Sequence, residues 1–273
     1  MSSGQWTTHH VVLDAATVTK RFRRGSCEGA TREWRALELL ARHAPGLAPV
    51  PVRADLTADE PVVVMSRLSG RPLRGLPLGD DQVGALAAAM ARATEAVPRD
   101  VLAGVPPRRG HPGELIGHVR AWFPTARPHA GRVVGAAMDQ GMEWLAGSGE
   151  AACRGPRLPG VFGRGDGNPA NFLWDGRRVL MVDFEDSGRS DRAFELAEIT
   201  EHVGSWVEEQ PLDVASFLGH FDLTADESAQ LVTYRRLLAL VWLFLLTFDD
   251  PQAPRNPPGT AARQAARLRE LLA

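Results

Sequence analysis

At 273 residues, 44% of them hydrophobic, the chain can bury a substantial core as one bilobal unit or two small domains. A net charge of −2 and an isoelectric point near 6.5 argue against nucleic acid as the main partner, because a phosphate backbone demands a basic face. Cys27 and Cys153 are the only cysteines; lying far apart and without metal-ligand spacing, they predict neither a disulfide framework nor a zinc site, but reduced thiols in a cytoplasmic protein.

Residues 1–8 lack a basic segment followed by an apolar core, so no secretory signal is expected. Two strand-like runs follow, His10–Leu13 and residues 16–22, joined by a turn at Asp14-Ala15. His9 and His10 have no third ligand in view and read as strand residues. Lys20 is the only lysine in a chain that otherwise uses arginine. It marks either a need for a compact ammonium that a planar guanidinium cannot meet, or an ordinary exposed strand lysine.

The next segment, residues 28–43, places Ala30, Trp34, Leu37, Leu40 and Ala41 on one helical face and stops at Pro45-Gly46. Glu28, Glu33 and Glu38 are its acidic positions. Residues 48–51 and 61–68 read as extended, and from Gly79 the texture becomes helical. Asp80-Asp81 can cap a helix through Ala85, Leu86, Ala89, Met90 and Ala93 that ends before Pro98. Residues 99–112 are rich in Pro, Gly and Arg and read as a loop in which Arg108 and Arg109 are solvated. Further helices are expected over 114–123 and 132–145.

Residues 161–186 carry the chemistry. Asp166 and Asn171 are separated by four residues, and Asp183 follows one short hairpin later. A loop carboxylate can orient an acceptor hydroxyl and take its proton, while a nearby amide oxygen and a second carboxylate bind Mg²⁺ on nucleotide phosphates. The hairpin reads as two apolar runs, 171–174 and 178–182, flanking Asp175-Gly176, a pair able to supply positive φ values. It returns Asn171 and Asp183 to the same end of the motif. Gly163, Gly165 and Gly167 imitate a dinucleotide loop at the wrong spacing and without a following helix.

Between Asp183 and Glu227 there are thirteen Asp or Glu residues, opposed only by Arg189 and Arg192. A helix over 193–209 would contribute Glu195, Glu198, Glu201, Glu208 and Glu209. Such a concentration attracts cations, although many of these carboxylates can be simple surface groups. Two helices, 225–248 and 261–272, close the chain; the apolar run 237–248 between Arg235-Arg236 and Asp249-Asp250 is too short for a bilayer and reads as a buried helix, so no membrane partner is expected.

Gly165-Asp166, Asn171 and Asp183-Phe184-Glu185, followed by Ser187-Gly188-Arg189-Ser190-Asp191 and Phe194-Glu195-Leu196-Ala197, resemble the signatures of the aminoglycoside phosphotransferase family. That resemblance implies an α+β, protein-kinase-like bilobal fold. A small N-terminal β-sheet lobe with one helix, residues 1–70, would bind the nucleotide and include the hinge. A larger, mainly helical lobe, residues 71–273, would carry the catalytic loop and the acceptor pocket. It implies Asp166 as the catalytic residue, Asn171 and Asp183 as Mg²⁺ ligands, and Lys20, braced by Glu33, on the phosphates of ATP or GTP. Ser66 and Leu68 would offer backbone groups to the base, and Gly4 and Gln5 would form a shortened phosphate loop, since no first strand precedes them. Glu185, Asp186, Glu198 and Glu201 are the candidate contacts to a small cationic acceptor such as an aminoglycoside or basic peptide antibiotic. The family usually has His two residues before the catalytic Asp, where this chain has Arg164, and a commoner Asp where it has Glu195. A metabolic kinase for an amino alcohol or sugar, or a nucleotide-binding pseudokinase, are the alternative readings.

Overall fold

The apolar runs on either side of Asp14-Ala15 form a hairpin, β1 (His10–Leu13) and β2 (Thr17–Arg21), whose turn is closed by the Asp14 amide donating to the Thr17 carbonyl at 2.9 Å. The structure is a computed structural model and describes residues 9–156, 158–250 and 252–273. Gly25, at φ +81°, turns the chain into α1 (Cys27–His43). Ala30, Glu33, Leu37 and Leu40 are buried along one face at helical spacing. Trp34 and Ala41 are only half-buried, so the acidic Glu33 lies nearer the centre of the buried stripe than either. Strands β3 (Pro51–Asp55) and β4 (Val62–Ser66) complete an antiparallel sheet of order β1-β2-β4-β3. The chain is not yet a strand at Ala48; pairing starts at Pro51 and shifts register between Pro51 and Arg53.

Past Gly70, which lies so close to Leu173 that a Cβ there would stand 2.9 Å from the Leu173 Cβ, the short strand β5 (Arg71–Pro72) leaves this sheet and pairs with a strand a hundred residues on. Helices α2 (Asp80–Ala96), α3 (Arg99–Ala103), α4 (Pro112–Ala126), α5 (Arg132–Trp144) and α6 (Glu150–Cys153) follow. Gly79, not Asp80 or Asp81, occupies the N-cap of α2, and its amide donates to the Gln82 side chain at 3.0 Å. The two aspartates sit in the first turn, where they face the positive helix end. The segment expected to be a loop over 99–112 contains α3, opened by Pro98.

The motif segment forms β6 (Gly160–Gly163), β7 (Phe172–Trp174), β8 (Val179–Met181) and β9 (Gly188–Asp191), with β7 and β8 in the expected hairpin and β6 paired to β9. Its connection is four residues long. Gly176 alone takes positive φ, while Asp175 accepts the amides of Arg177 and Arg178, each at 2.9 Å. Helix α7 (Arg192–Glu201) is capped by the Asp191 carboxylate accepting the Phe194 amide at 2.9 Å, and it ends at Glu201 instead of continuing to 209. Helices α8 (Val214–Leu218), α9 (Ala225–Thr247) and α10 (Thr260–Leu272) complete the larger lobe. A reciprocal cap between Thr224 and Glu227 starts α9.

The apolar run 237–248 is the distal half of α9, which by length and composition alone could cross a membrane. Here α4, α5, α7 and α10 pack around it, and Leu237, Leu240, Leu243 and Phe244 are fully buried. One continuous core links Phe22, Leu37 and Met65 of the smaller lobe to Phe162, Phe184 and Leu237 of the larger.

Two expectations about charge are corrected by packing. Glu201 is fully buried, and its two oxygens are held by Arg235 at 2.7 Å and Arg267 at 3.0 Å, so it belongs to the helix interface and not to an acceptor site. Arg108 is not solvated. It is 3% exposed and pairs with Glu195 at 3.0 Å and Glu198 at 2.9 Å. Arginines remote in sequence therefore neutralise much of the acidic stretch.

Candidate active site

The loop between β6 and β7 is held in place by close backbone approaches. Gly165, at φ +95°, lies against the backbone of Asp186, and Gly167 against the carbonyl of Glu198, so that a Cβ at either position would collide with main chain. These glycines serve packing, not phosphate binding. Between them Asp166 stands with its side chain 35% exposed, the one acidic group of the loop that reaches the cleft. Its Oδ1 accepts the Asn168 amide at 2.9 Å and its Oδ2 accepts Nδ2 of Asn171 at 2.7 Å. That donation leaves the amide oxygen of Asn171 free to act as a hard ligand.

Asp183 is the only described non-glycine residue with positive φ, at +68°. Its turn is bracketed by hydrogen bonds: the Val182 amide donates to the Asn171 carbonyl at 3.0 Å, and the Phe184 amide to Oε2 of Glu33 at 2.8 Å. Arg164 completes the bracket, with Nη2 donating to the carbonyls of Val182 at 2.8 Å and Asp183 at 3.3 Å. Its guanidinium stacks over Phe172, 4.6 Å from the ring centre, and burial lowers its pKa from the ordinary arginine value. Arg164 thus braces the Asp183 turn through carbonyls, not by pairing with a carboxylate side chain.

Lys20 joins the two lobes. Its ammonium contacts Glu33 at 3.1 Å, Glu185 at 2.8 Å and the carboxylate of Asp183 directly. Burial pushes the lysine pKa down, but Glu33, Asp183 and Glu185 together hold it above the usual value. The effect on the partners differs: burial outweighs the ammonium and raises Glu33, whereas Lys20 overcomes burial and lowers Asp183. His9, which sequence reading treats as a strand residue, also reaches this cluster, with Nε2 2.9 Å from Glu185 and Nδ1 accepting the Arg23 amide at 3.2 Å. No sequence signal marks it, since its partner is 176 positions away.

The second group that sequence reading misses is Arg108, whose Nη2 also donates to the Gly165 carbonyl at 2.6 Å and so ties the loop to α7. Glu195, at the other end of this pair, accepts the Arg164 amide at 2.9 Å. The third is His202, just past the end of α7, with Nε2 3.6 Å from Oδ1 of Asp166.

A cleft of about 350 Å³ opens on Asp166. Glu185, Asp186, Glu198 and Glu114 line one side with Arg109, while Leu238, Val241, Trp242 and Leu245 of α9 and Leu115 of α4 make an apolar side. Burial, reinforced by the neighbouring Glu185, pushes the Asp186 carboxyl up to about 6. A larger groove, about 840 Å³, runs between α5 and α10 beside Trp144 and Arg269, on elements that carry none of these groups.

The donors present suit a hard cation. Asp183 offers a carboxylate and Asn171 an amide oxygen, while Oε2 of Glu185 is already engaged by Lys20 at 2.8 Å and His9 at 2.9 Å. Among the described residues no group of three His, Cys, Asp or Glu forms a closed cage; a carboxylate and an amide oxygen are the hard oxygen donors Mg²⁺ takes beside phosphates and water. At the hinge the two expected groups differ. The Ser66 amide is already taken by the Val50 carbonyl at 2.8 Å, whereas the Leu68 amide has no partner among the described residues. Gly4 and Gln5 lie outside the described residues.

Residues 7–228 match the model of the phosphotransferase enzyme family. No curated protein sequence matches the chain. Among solved structures, a choline/ethanolamine kinase family protein from Mesorhizobium loti superposes with a TM-score of 0.66 at 18% identity, covering 98% of this chain and 86% of its own. A spectinomycin phosphotransferase in complex with ADP and spectinomycin gives 0.62 at 12% identity, with 99% and 87% covered. An ADP-bound aminoglycoside phosphotransferase gives 0.63 at 13% identity, with 100% and 90% covered. At these identities the structural likeness concerns the fold.

Proposed function

The chain belongs to the phosphotransferase enzyme family and is a small-molecule kinase with an alcohol group as acceptor, and we propose that it moves the γ-phosphoryl group of ATP or GTP to a hydroxyl of a small cationic antibiotic, conferring resistance. The observation that carries this reading is that Asp166 opens on a cleft bordered by Glu185, Asp186, Glu198 and Glu114 and accepts Asn171 Nδ2 at 2.7 Å, while the adjoining Asp183 turn, bonded to the Asn171 carbonyl, meets Lys20. The lobe up to residue 70 holds the nucleotide, and the remainder supplies the catalytic loop and the acceptor cleft. With Asp166, Asn171, Asp183 and Lys20 all present, the reading of a regulatory protein without turnover has no support.

In this mechanism Asp166 orients the acceptor hydroxyl through the oxygen lone pairs not used by Asn168 and Asn171, and takes its proton as the new O–P bond forms and the bond to the leaving diphosphate breaks. Lys20, held by Glu33, presents a positive charge to the phosphate oxygens. Asn171 and Asp183 would hold Mg²⁺, which when bound offsets phosphate charge. The Leu68 amide is the hinge donor left open to a nucleotide base.

The apolar lining of the cleft supports a second reading, an amino alcohol or other small amphipathic amine, because Trp242, Val241 and Leu245 suit alkyl groups next to an ammonium. The structural likeness to a choline/ethanolamine kinase family protein is in keeping with it. Mass spectrometry of products from Mg²⁺, ATP or GTP, and a panel of aminoglycosides, basic peptide antibiotics, amino alcohols and sugars separates the readings. Phosphorylation of an antibiotic is expected. Phosphorylation of only an amino alcohol would move the second reading ahead, and product from only neutral sugars would overturn both.

A further inference from the structure

The end of α7 delivers a residue to Asp166 that the phosphoryl-transfer set does not include. His202 leaves the helix with φ −57° and ψ 131°, an extended conformation that ends α7, and its imidazole lies against the catalytic loop. The ring is buried, 5% exposed, and stands edge-on to Trp242 with centroids 4.6 Å apart. Its Nδ1 accepts the Gly204 amide at 3.0 Å, so Nδ1 carries no proton and, in the neutral ring, Nε2 does. Nε2 is the atom that faces Oδ1 of Asp166, at 3.6 Å. Burial pushes the imidazole down to about 4, which keeps it neutral in ordinary buffers despite the adjacent carboxylate.

We infer that His202 is a positioning residue for Asp166, presenting a fixed Nε2–H that, together with the Asn168 amide and Asn171 Nδ2, confines the carboxylate to one rotamer and leaves a single direction open toward the acceptor hydroxyl. The inference rests on the reading of Asp166 as the group that takes the acceptor proton. The separation is longer than a formed hydrogen bond, and a shift of a few tenths of an ångström when the cleft fills would close it. A neutral donor is well matched to this role. It stabilises the ionised carboxylate without competing for its charge, as an imidazolium would, and it keeps its Nε2 proton throughout the ordinary pH range. Two neighbours reinforce the geometry. Gly204 admits the close turn, since a Cβ there would stand 3.2 Å from Nδ1 of His202, and Trp242 both backs the ring and lines the acceptor cleft. The acceptor and the positioning residue thus share one wall.

The test compares His202→Phe, which keeps a ring against Trp242 but has no donor, with His202→Gln, whose Nε2 restores one. Turnover is read as product from any acceptor of the panel above and, independently of the acceptor, as slow Mg·ATP hydrolysis by water; Mg·ATP affinity is read by calorimetry. We expect kcat to fall roughly tenfold to a hundredfold in His202→Phe, with Mg·ATP affinity and acceptor KM within about twofold, and His202→Gln to recover most of the loss. The imidazole ¹⁵N spectrum of the unmodified protein is expected to report the Nε2-protonated tautomer, and the resonance to move in Asp166→Ala. Wild-type kcat in His202→Phe, or an Nδ1-protonated ring, overturns the inference. If Asp166→Ala itself keeps wild-type turnover, the assignment of Asp166 falls as well; if Asp166→Ala is inactive while His202→Phe is unimpaired, only the positioning role falls.

Discussion

Lys20 and Arg108 are both buried cations ringed by carboxylates, one on each side of the segment that runs from Asp183 to Glu198, and they are built to opposite ends. Arg108 has two carboxylates for its fork and two carbonyls for its remaining donors, Gly165 at 2.6 Å and Arg109 at 2.9 Å, and it stacks on Phe194. Four guanidinium donors are thereby engaged, so the group is a fixed joint between the catalytic loop and α7. Lys20 faces three carboxylates with one charge, Oε2 of Glu185 is shared between Lys20 and His9, and Oε1 of Glu33 is buried without a hydrogen bond. Partners that compete for one ammonium can be exchanged when phosphates arrive. A surplus of acceptors around a compact cation therefore marks the working site, and a guanidinium fixed by four hydrogen bonds marks the scaffold.

The largest effect expected from breaking this contrast is in stability. Arg108→Met would leave Glu195 and Glu198 buried without their cation and cost about 3–5 kcal/mol in denaturant unfolding. Arg108→Lys should recover only part of this, because an ammonium cannot serve the two carboxylates and two carbonyls in one plane. At the other centre the effect should move from folding to rate. Lys20→Arg is expected to lower kcat about a hundredfold or more, about 2.7 kcal/mol in barrier, while unfolding free energy changes by less than about 1 kcal/mol. Wild-type rates in that variant would remove the distinction drawn between the two cations.

A smaller loss is expected at Asp183, where Asp183→Ala should weaken Mg·ATP binding about tenfold or more by calorimetry and leave binding in the presence of a chelator little changed. The mildest effect concerns the acceptor. Asp186, pushed up to about 6 by burial and by Glu185, gains a proton as pH falls through that value, so the cleft loses a negative charge on the acid side. The KM for a cationic acceptor should then rise about threefold between about pH 7.5 and pH 5.5, while that for a neutral acceptor stays level. Asp186→Asn should abolish the pH dependence; its persistence would assign the titration to another group.

Sequence pattern carried much of this centre. The Asp166, Asn171 and Asp183 spacing, the β7–β8 hairpin and the lone lysine are local signals, whereas Glu33 is singled out only by the family resemblance; the structure pairs Asn171 with Asp166, and Lys20 with Glu33 and Asp183. What could not be read was pairing across long separations. Arg108 in a Pro- and Gly-rich segment looks like a solvated charge until Glu195 and Glu198, 87 and 90 positions later, fold against it. Glu201 looked available to an acceptor because Arg235 and Arg267 lie on helices far beyond it. His9 and His202 carry no motif at all, and only the three-dimensional placement of the residue before β1 and of the residue just past α7 brings them to Glu185 and Asp166. One partial clue existed: Glu195 and Glu198 are three apart on one helix face, a spacing that invites a shared cation.

The most direct test of the account is single-turnover transfer from γ-labelled ATP with saturating Mg²⁺ and an acceptor from the panel, in the unmodified protein and in Asp166→Ala, at nucleotide concentrations that calorimetry shows to be saturating for both. Equal Mg·ATP affinity and a loss of transfer of about a hundredfold or more are expected in the variant. Transfer at the unmodified rate in Asp166→Ala, with nucleotide bound, would contradict it.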